Sequence, residues 1–211
     1  MQNTVEISYD ALYYLAQLMQ AEYMDYDYFK LVGDIETNYD LFAKQAAESL
    51  QNSGLLTEDF SGELELDETL RQIATPLFFG NAESSLDLIL QGETVSRSLY
   101  KFHFYQNQVT RATFLDGKVR LEAWDSFEEL YADILRNTVA GSEESLAAPI
   151  EPDKMDKIMI LKCTNAGAPL PIVAFCVYNG GVYKMEGESL LAVAPETFRD
   201  EAIRILEMKG V

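Results

Sequence analysis

Residues 109–124 have the sequence VTRATFLDGKVRLEAW, in which two runs of β-forming residues flank Asp116-Gly117. The Asp-Gly pair readily adopts the positive φ angles that tight hairpin turns require. The runs 109–115 and 119–124 therefore predict two antiparallel strands joined by a short turn. This hairpin indicates a sheet built from antiparallel neighbours.

A two-residue period of apolar side chains predicts further strands on both sides of this hairpin. Before it, the period runs through residues 84–90 and 100–105. After it, strands are predicted at 158–162, 172–178, 182–185 and 190–193, with Asn179-Gly180-Gly181 as a second hairpin turn.

Helices are predicted mainly at the two ends of the chain. The N-terminal helices are expected from Leu12 to Tyr26 with an end by Gly33, from the Thr37–Asp40 capping box to Gly54, and from Asp67 to Pro76. The later ones are expected after Trp124, with an apolar face within 127–135, and over 195–208, with a linker at 139–153. The predicted fold class is therefore α+β.

The sheet region has two similar halves when the sequence is offset by 71 residues. Matched positions include Val119 with Leu190 and Phe127 with Phe198, and Phe104 falls on Phe175. We expect two β-β-β-α units that form one antiparallel sheet with pseudo-twofold symmetry; chance similarity of two ordinary units is the alternative. The predicted organisation is an N-terminal helical segment, 1–80, packed on the duplicated sheet-helix region, 81–211, in one compact domain overall.

The chain is strongly acidic. It has 211 residues and a formal net charge of −19, and 15 of its 35 acidic residues lie within residues 1–75. Such a charge repels phosphate backbones and anionic lipids, so nucleic acid and membrane surfaces are not expected as partners. No signal peptide or membrane-spanning run is recognised, which predicts a cytoplasmic protein with Cys163 and Cys176 as reduced thiols.

No recognisable catalytic motif is present. The one histidine, His103, is interpreted as an ordinary residue on the sheet surface. Neither zinc-binding cysteine pairs nor a phosphate-binding glycine loop occurs, and carboxylate pairs such as Glu143-Glu144 lack calcium-loop spacing. We therefore expect no enzyme activity, no cofactor and no metal.

Tyrosines are concentrated near the first two predicted helices, at positions 9, 13, 14, 23, 26, 28 and 39. Interfaces are enriched in aromatic residues, so part of this cluster is a candidate interaction surface, and the remainder is expected in the core. Trp124 is expected to be buried.

The order of elements carries a family resemblance. Its components are a helix with Leu12 and Leu15, a helix running into Gly54-Leu55-Leu56, Leu64-x-Leu66-Asp67 before a helix ending Ala74-Thr75-Pro76, and a sheet in two halves. This order resembles the EspG family of type VII secretion chaperones. The chain is shorter than typical members, and small relatives encoded beside toxin-secretion loci fit its length better.

The resemblance implies a cytosolic chaperone or adaptor without a catalytic site. Its partner would be a helical secreted protein or toxin encoded nearby. The family's substrate-contacting loop corresponds to the central hairpin around Phe114, Leu115, Asp116, Gly117 and Lys118. Two other functions stay open: an immunity protein whose acidity masks a basic toxin and, third, a small-molecule enzyme. The oligomeric state is not predicted.

Overall fold

A computed structural model of the protein describes residues 4–35, 37–124, 127, 151–165, 168–169, 172–187 and 189–207. The chain divides into two compact units. The first unit consists of residues 1–81 and 103–124, and the second of residues 82–102 and 125–211. Strand β5 (Ser96–Tyr105) contributes its end to the first unit and its beginning to the second.

The first unit contains the N-terminal helices and the central hairpin. Its elements are β1 (Thr4–Ser8), α1 (Tyr9–Leu18), α2 (Tyr26–Phe29), α3 (Tyr39–Asn52), β2 (Leu56–Glu58), β3 (Leu64–Leu66), α4 (Glu68–Phe79), β6 (Gln108–Leu115) and β7 (Lys118–Ala123). Strands β1, β7, β6 and the end of β5 are neighbours in that order, and β2 pairs with β3 in a small separate sheet. The core includes Leu12, Leu15, Leu50, Leu70 and Leu121.

Polar residues fix the starts of the helices in this unit, because a side-chain oxygen satisfies a backbone N–H that has no partner within the helix. The pairs are Ser8 with Ala11, Asn38 with Leu41, and Asp67 with Leu70. At the end of α3, Gly54 has a φ of 70°, and the N–H of Leu55 donates to the carbonyl of Leu50. The predicted cap at Asp67 and the predicted stop at Gly54 are confirmed.

Three predicted helix boundaries are wrong. The first helix ends at Leu18, because Gln20 takes a φ of 57° and the N–H of Ala21 turns back to the carbonyl of Ala16. The second helix is capped by Asn38, not by Thr37. The third does not end at Pro76: it continues to Phe79 and buries the following Leu77 and Phe78. This burial outweighs the hydrogen bond that the proline removes.

The second unit contains the remaining strands and the C-terminal helix. Its elements are the start of β5, β4 (Ala82–Leu90), β8 (Lys157–Asn165), β9 (Ala168–Pro169), β10 (Val173–Tyr178), β11 (Gly181–Glu186), β12 (Ser189–Ala192) and α5 (Pro195–Leu206), with a 3₁₀ turn at Pro152–Lys154. The strand order is β5-β4-β8-β10-β11-β12, and β9 pairs with β8. Helix α5 packs on β4 and β8.

The predicted fold class is confirmed as α+β with a large antiparallel sheet and an N-terminal helical segment. Each predicted strand is present within about two residues of its predicted bounds, with two exceptions. Strand β5 begins four residues before Tyr100, and β8 ends at Asn165, three residues after the predicted end at 162. The predicted helix after Trp124 lies outside the described residues apart from Phe127, as does the predicted linker up to residue 150.

Candidate protein-binding surface

The central hairpin brings the five predicted contact residues together. Leu115 pairs with Lys118 across a two-residue turn, Asp116-Gly117, in which Gly117 has a φ of 69°. Asp116, Gly117 and Lys118 are exposed, whereas Phe114 and Leu115 are half-buried. The tip is therefore the accessible part of the predicted site.

Two tyrosines of the N-terminal helices hold the base of this hairpin. The ring of Tyr28 stacks on the ring of Phe114 with centroids 4.9 Å apart and planes 11° from parallel. The Tyr9 hydroxyl donates a hydrogen bond of 3.0 Å to the Leu115 carbonyl, and burial raises the pKa of Tyr9. The half-buried Phe114 side chain thus packs against Tyr28 and supports the tip.

Charged residues brace the neighbouring strands. Glu6 on β1 forms ion pairs with Lys118 and with Arg120, the latter at 2.7 Å. Hydrogen bonds from Lys118 and Arg120 lower the pKa of the Glu6 carboxyl. The positive charge of Lys118 is therefore partly matched within the chain, and Asp116 is the acidic group at the tip.

His103 does not lie on the sheet surface, which corrects its sequence-based interpretation. It is 4% exposed, and its Nε2 shares a hydrogen bond of 2.7 Å with the hydroxyl of Tyr28. The alternation of β5 fixes which side chains share a face, but not which helix covers that face. Tyr28, which is 75 residues away in the sequence, contacts His103 on that face.

Neither cysteine is placed for nucleophilic or metal chemistry. Both are free and buried, Cys163 on β8 and Cys176 on β10. Burial raises the pKa of Cys176 to about 11 and also raises that of Cys163, so both are protonated thiols at neutral pH. Among the described residues, no group of three or more His, Cys, Asp and Glu side chains could hold a metal ion.

The tyrosine-rich segment divides into buried and exposed members. Tyr9 and Tyr28 belong to the core, whereas Tyr23, Tyr26 and Tyr39 are exposed. Exposed apolar side chains also occur at Phe29, Leu31 and Leu41 in the same region. The predicted mixture of core and surface roles is thus present, and Trp124 is buried as expected.

Helices of the described residues show no candidate membrane span: none combines sufficient length with sufficient apolar character.

Comparison with known proteins gives one informative kind of match. No protein-family model matches the chain, and the comparison with curated proteins finds no significant relative. Among solved structures, the chain is similar to that of the Mycobacterium tuberculosis type VII secretion system chaperone EspG5 in complex with a PE25-PPE41 dimer. The TM-score is 0.65 at 7% sequence identity, and the match covers 97% of this chain and 96% of that chain.

The chain has an EspG-like fold. The predicted resemblance is confirmed at this level, since the match extends over nearly all of both chains. At 7% identity the likeness concerns the fold, so the role of the hairpin tip stays a prediction.

Sequence reasoning missed two residues that organise this surface. The sequence does not distinguish Tyr28 from the other tyrosines, although it contacts both Phe114 and His103. Glu6 has no assigned role in the sequence-based predictions, although it joins Lys118 and Arg120. An alternation argument could have placed Lys118 and Arg120 on one face of β7, but their partner comes from a strand more than 100 residues earlier.

Proposed function

We propose that this chain is a cytosolic chaperone or adaptor that binds a helical secretion substrate of a type VII-like system. The observation that carries the proposal is the EspG-like fold, which extends over 97% of the chain. The solved structure with that fold is a secretion chaperone held in a complex with two other proteins. In this proposal the chain acts by binding and has no catalytic step.

The hairpin tip is the proposed contact point for the substrate. Asp116, Gly117 and Lys118 are exposed, and the hydrogen bond from Tyr9 and the ring of Tyr28 hold the base of the hairpin in place. A loop that is already ordered loses little conformational freedom on binding, which favours affinity. Asp116 supplies an acceptor for a backbone or basic group of the partner.

Co-expression with helical proteins encoded beside this chain tests the proposal. We expect one of them to co-elute with it on size-exclusion chromatography. In that complex, Asp116→Arg should weaken binding by about tenfold or more, because it reverses the charge at the contact. Asp200→Arg is the matched control, since it reverses an exposed charge on α5 and should leave binding unchanged.

Absence of a complex with every neighbouring protein would contradict the proposal. Equal binding of the Asp116→Arg variant would show that the hairpin tip is not the contact point, while the chaperone role would still be supported.

An immunity function is the second candidate, favoured by the net charge of −19, which suits a basic toxin. It predicts loss of a neighbouring toxin's activity in the complex, whereas the chaperone role predicts increased export of an unchanged substrate.

A further inference from the structure

A second apolar surface lies on the N-terminal helices, and it is formed by residues other than those of the hairpin tip. Four aromatic rings of α2, α1 and α3 contact one another in succession. The distances between ring centroids are 5.9 Å from Phe29 to Tyr13, 5.8 Å from Tyr13 to Phe42, and 6.3 Å from Phe42 to Tyr39. We call these four rings the aromatic ladder.

The two ends of the aromatic ladder are open to solvent. Phe29 is 42% exposed and Tyr39 is 45% exposed, while Tyr13 is half-buried between them. The Tyr39 hydroxyl donates a 2.6 Å hydrogen bond to Oε1 of Gln17, which fixes the orientation of its ring. Tyr26, 72% exposed, lies one helical turn before Phe29. The exposed apolar rings are thus grouped and held in place, as at protein interfaces.

The charge around the aromatic ladder is one-sided. Residues 22–40, which include Phe29 and Tyr39, contain six acidic residues and one basic residue, Lys30. Lys30 is itself paired with Asp27 at 2.7 Å. A second copy of this chain would bring the same negative charge to the surface and be repelled, and so would nucleic acid. A basic partner is attracted, and its lysines or arginines also gain from contact with aromatic faces.

The exposed ends of the aromatic ladder and their acidic surroundings indicate the chemistry of the partner. Phe42 is only 6% exposed, so the rings open to a partner are Phe29 and Tyr39, with Tyr13 half-buried. An amphipathic helix presents an apolar face to such rings and can carry basic side chains beside that face. We propose that the aromatic ladder is a docking surface for a basic amphipathic helix of a second protein. This inference does not depend on the proposed role of the hairpin tip.

A synthetic peptide tests this surface directly. The probe is a fluorescent amphipathic peptide of leucine and lysine, about 18 residues long, which gives five helical turns. Fluorescence anisotropy should show binding to the full chain that weakens as salt is raised. A peptide with glutamate in place of every lysine should not bind.

Variants of the aromatic ladder separate this site from general acidity. The double variant Phe29→Ala/Tyr39→Ala should weaken peptide binding by about tenfold or more, because it removes both exposed rings. Phe60→Ala is the matched control: Phe60 is a fully exposed ring on the β2–β3 turn, and it also lies among acidic residues, Glu58, Asp59 and Glu63. This control should bind the peptide as the unmodified chain does.

Thermal unfolding monitored by circular dichroism checks that the double variant is folded. If the double variant is not folded, Tyr26→Lys tests the same surface through a more exposed residue and should also weaken peptide binding.

The proposal is overturned by unchanged binding in the ladder variants, by an equal loss in Phe60→Ala, or by equal binding of the glutamate peptide. Dimerisation of the chain that the ladder variants abolish would overturn it too. The Asp116→Arg variant should bind the peptide normally, so failure of the hairpin hypothesis would be seen separately.

Discussion

Two three-stranded segments of the chain, β5-β6-β7 and β10-β11-β12, share local details. The turn after β5 has Gln106 at a φ of 53°, and the turn after β10 has Asn179 at a φ of 49°. The ring centroids of Phe102 on β5 and Phe127 are 4.7 Å apart, and those of Phe175 on β10 and Phe198 on α5 are 4.9 Å apart. These contacts match Phe102 with Phe175, whereas the 71-residue offset places Phe104 on Phe175; the offset changes because β6 has 8 residues and β11 has 6. A common origin of the two segments stays a prediction, which the matched contacts support.

The residue after each paired phenylalanine differs between the segments. His103 follows Phe102 and shares a hydrogen bond with Tyr28 of α2, whereas Cys176 follows Phe175 and belongs to an apolar cluster with Met155 and Ile158. The first segment therefore has a polar contact with the N-terminal helices where the second has ordinary hydrophobic packing. The same arrangement of strands thus allows a polar or an apolar contact on the face opposite the paired phenylalanine.

The largest expected effect tests whether the paired phenylalanines are equivalent. Phe102 and Phe175 are both fully buried. We expect Phe102→Ala and Phe175→Ala each to lower the free energy of unfolding by about 3–5 kcal/mol, through lost burial and the cavity that remains. Urea-induced unfolding monitored by fluorescence measures both. Losses that differ by more than about 2 kcal/mol would contradict equivalence, because cavity costs at similar sites vary by about that much.

An intermediate effect is expected at the polar contact of the first segment. Tyr28→Phe keeps the ring stacked on Phe114 and removes the hydroxyl that bonds to His103. The unfolding free energy should fall by about 1–2 kcal/mol, since a buried partner loses a hydrogen bond. Tyr26→Phe removes an exposed hydroxyl and serves as the control, with no measurable change expected. Equal stability of Tyr28→Phe and the unmodified chain would show that this contact is not a stabilising difference between the segments.

Local sequence signals predicted most of the fold. The Asp116-Gly117 hairpin, the cap at Asp67 and the stop at Gly54 each depend on residues within a few positions of one another, and all three are confirmed. The end of the first helix was wrong because Tyr23 and Tyr26 continue its apolar period. Gln20 breaks the helix through its backbone conformation, which no side-chain period reveals.

The candidate surface was harder to predict because its contacts join distant residues. The five hairpin residues came from a family resemblance, and the structure shows that Phe114 is held by Tyr28. Composition alone indicates the aromatic cluster. Only the packing of α1, α2 and α3 shows that Phe29, Tyr13, Phe42 and Tyr39 form one connected set. Composition predicts that aromatic residues are present, whereas tertiary structure determines which of them meet.

The smallest expected effect concerns the turns that close the second hairpin of each segment. Gly117 between β6 and β7 has a φ of 69°, and Gly187 between β11 and β12 has a φ of 60°. A Cβ added at either position would meet no atom within 4 Å, so backbone strain alone sets the cost of a substitution. Gly117→Ala and Gly187→Ala should each lower the unfolding free energy by about 1 kcal/mol, the cost of the left-handed region for a residue with a Cβ.

Gly92→Ala is the control for these turn variants, because Gly92 lies outside the left-handed region and its added Cβ would make an ordinary contact at 3.7 Å. Thermal unfolding of all three variants in one buffer makes the comparison. A cost for Gly92→Ala as large as for the other two would refute the strain explanation. If only Gly117→Ala is costly, the two turns are not equivalent. In that case the hairpin with the proposed contact residues depends on its turn geometry in a way that its counterpart does not.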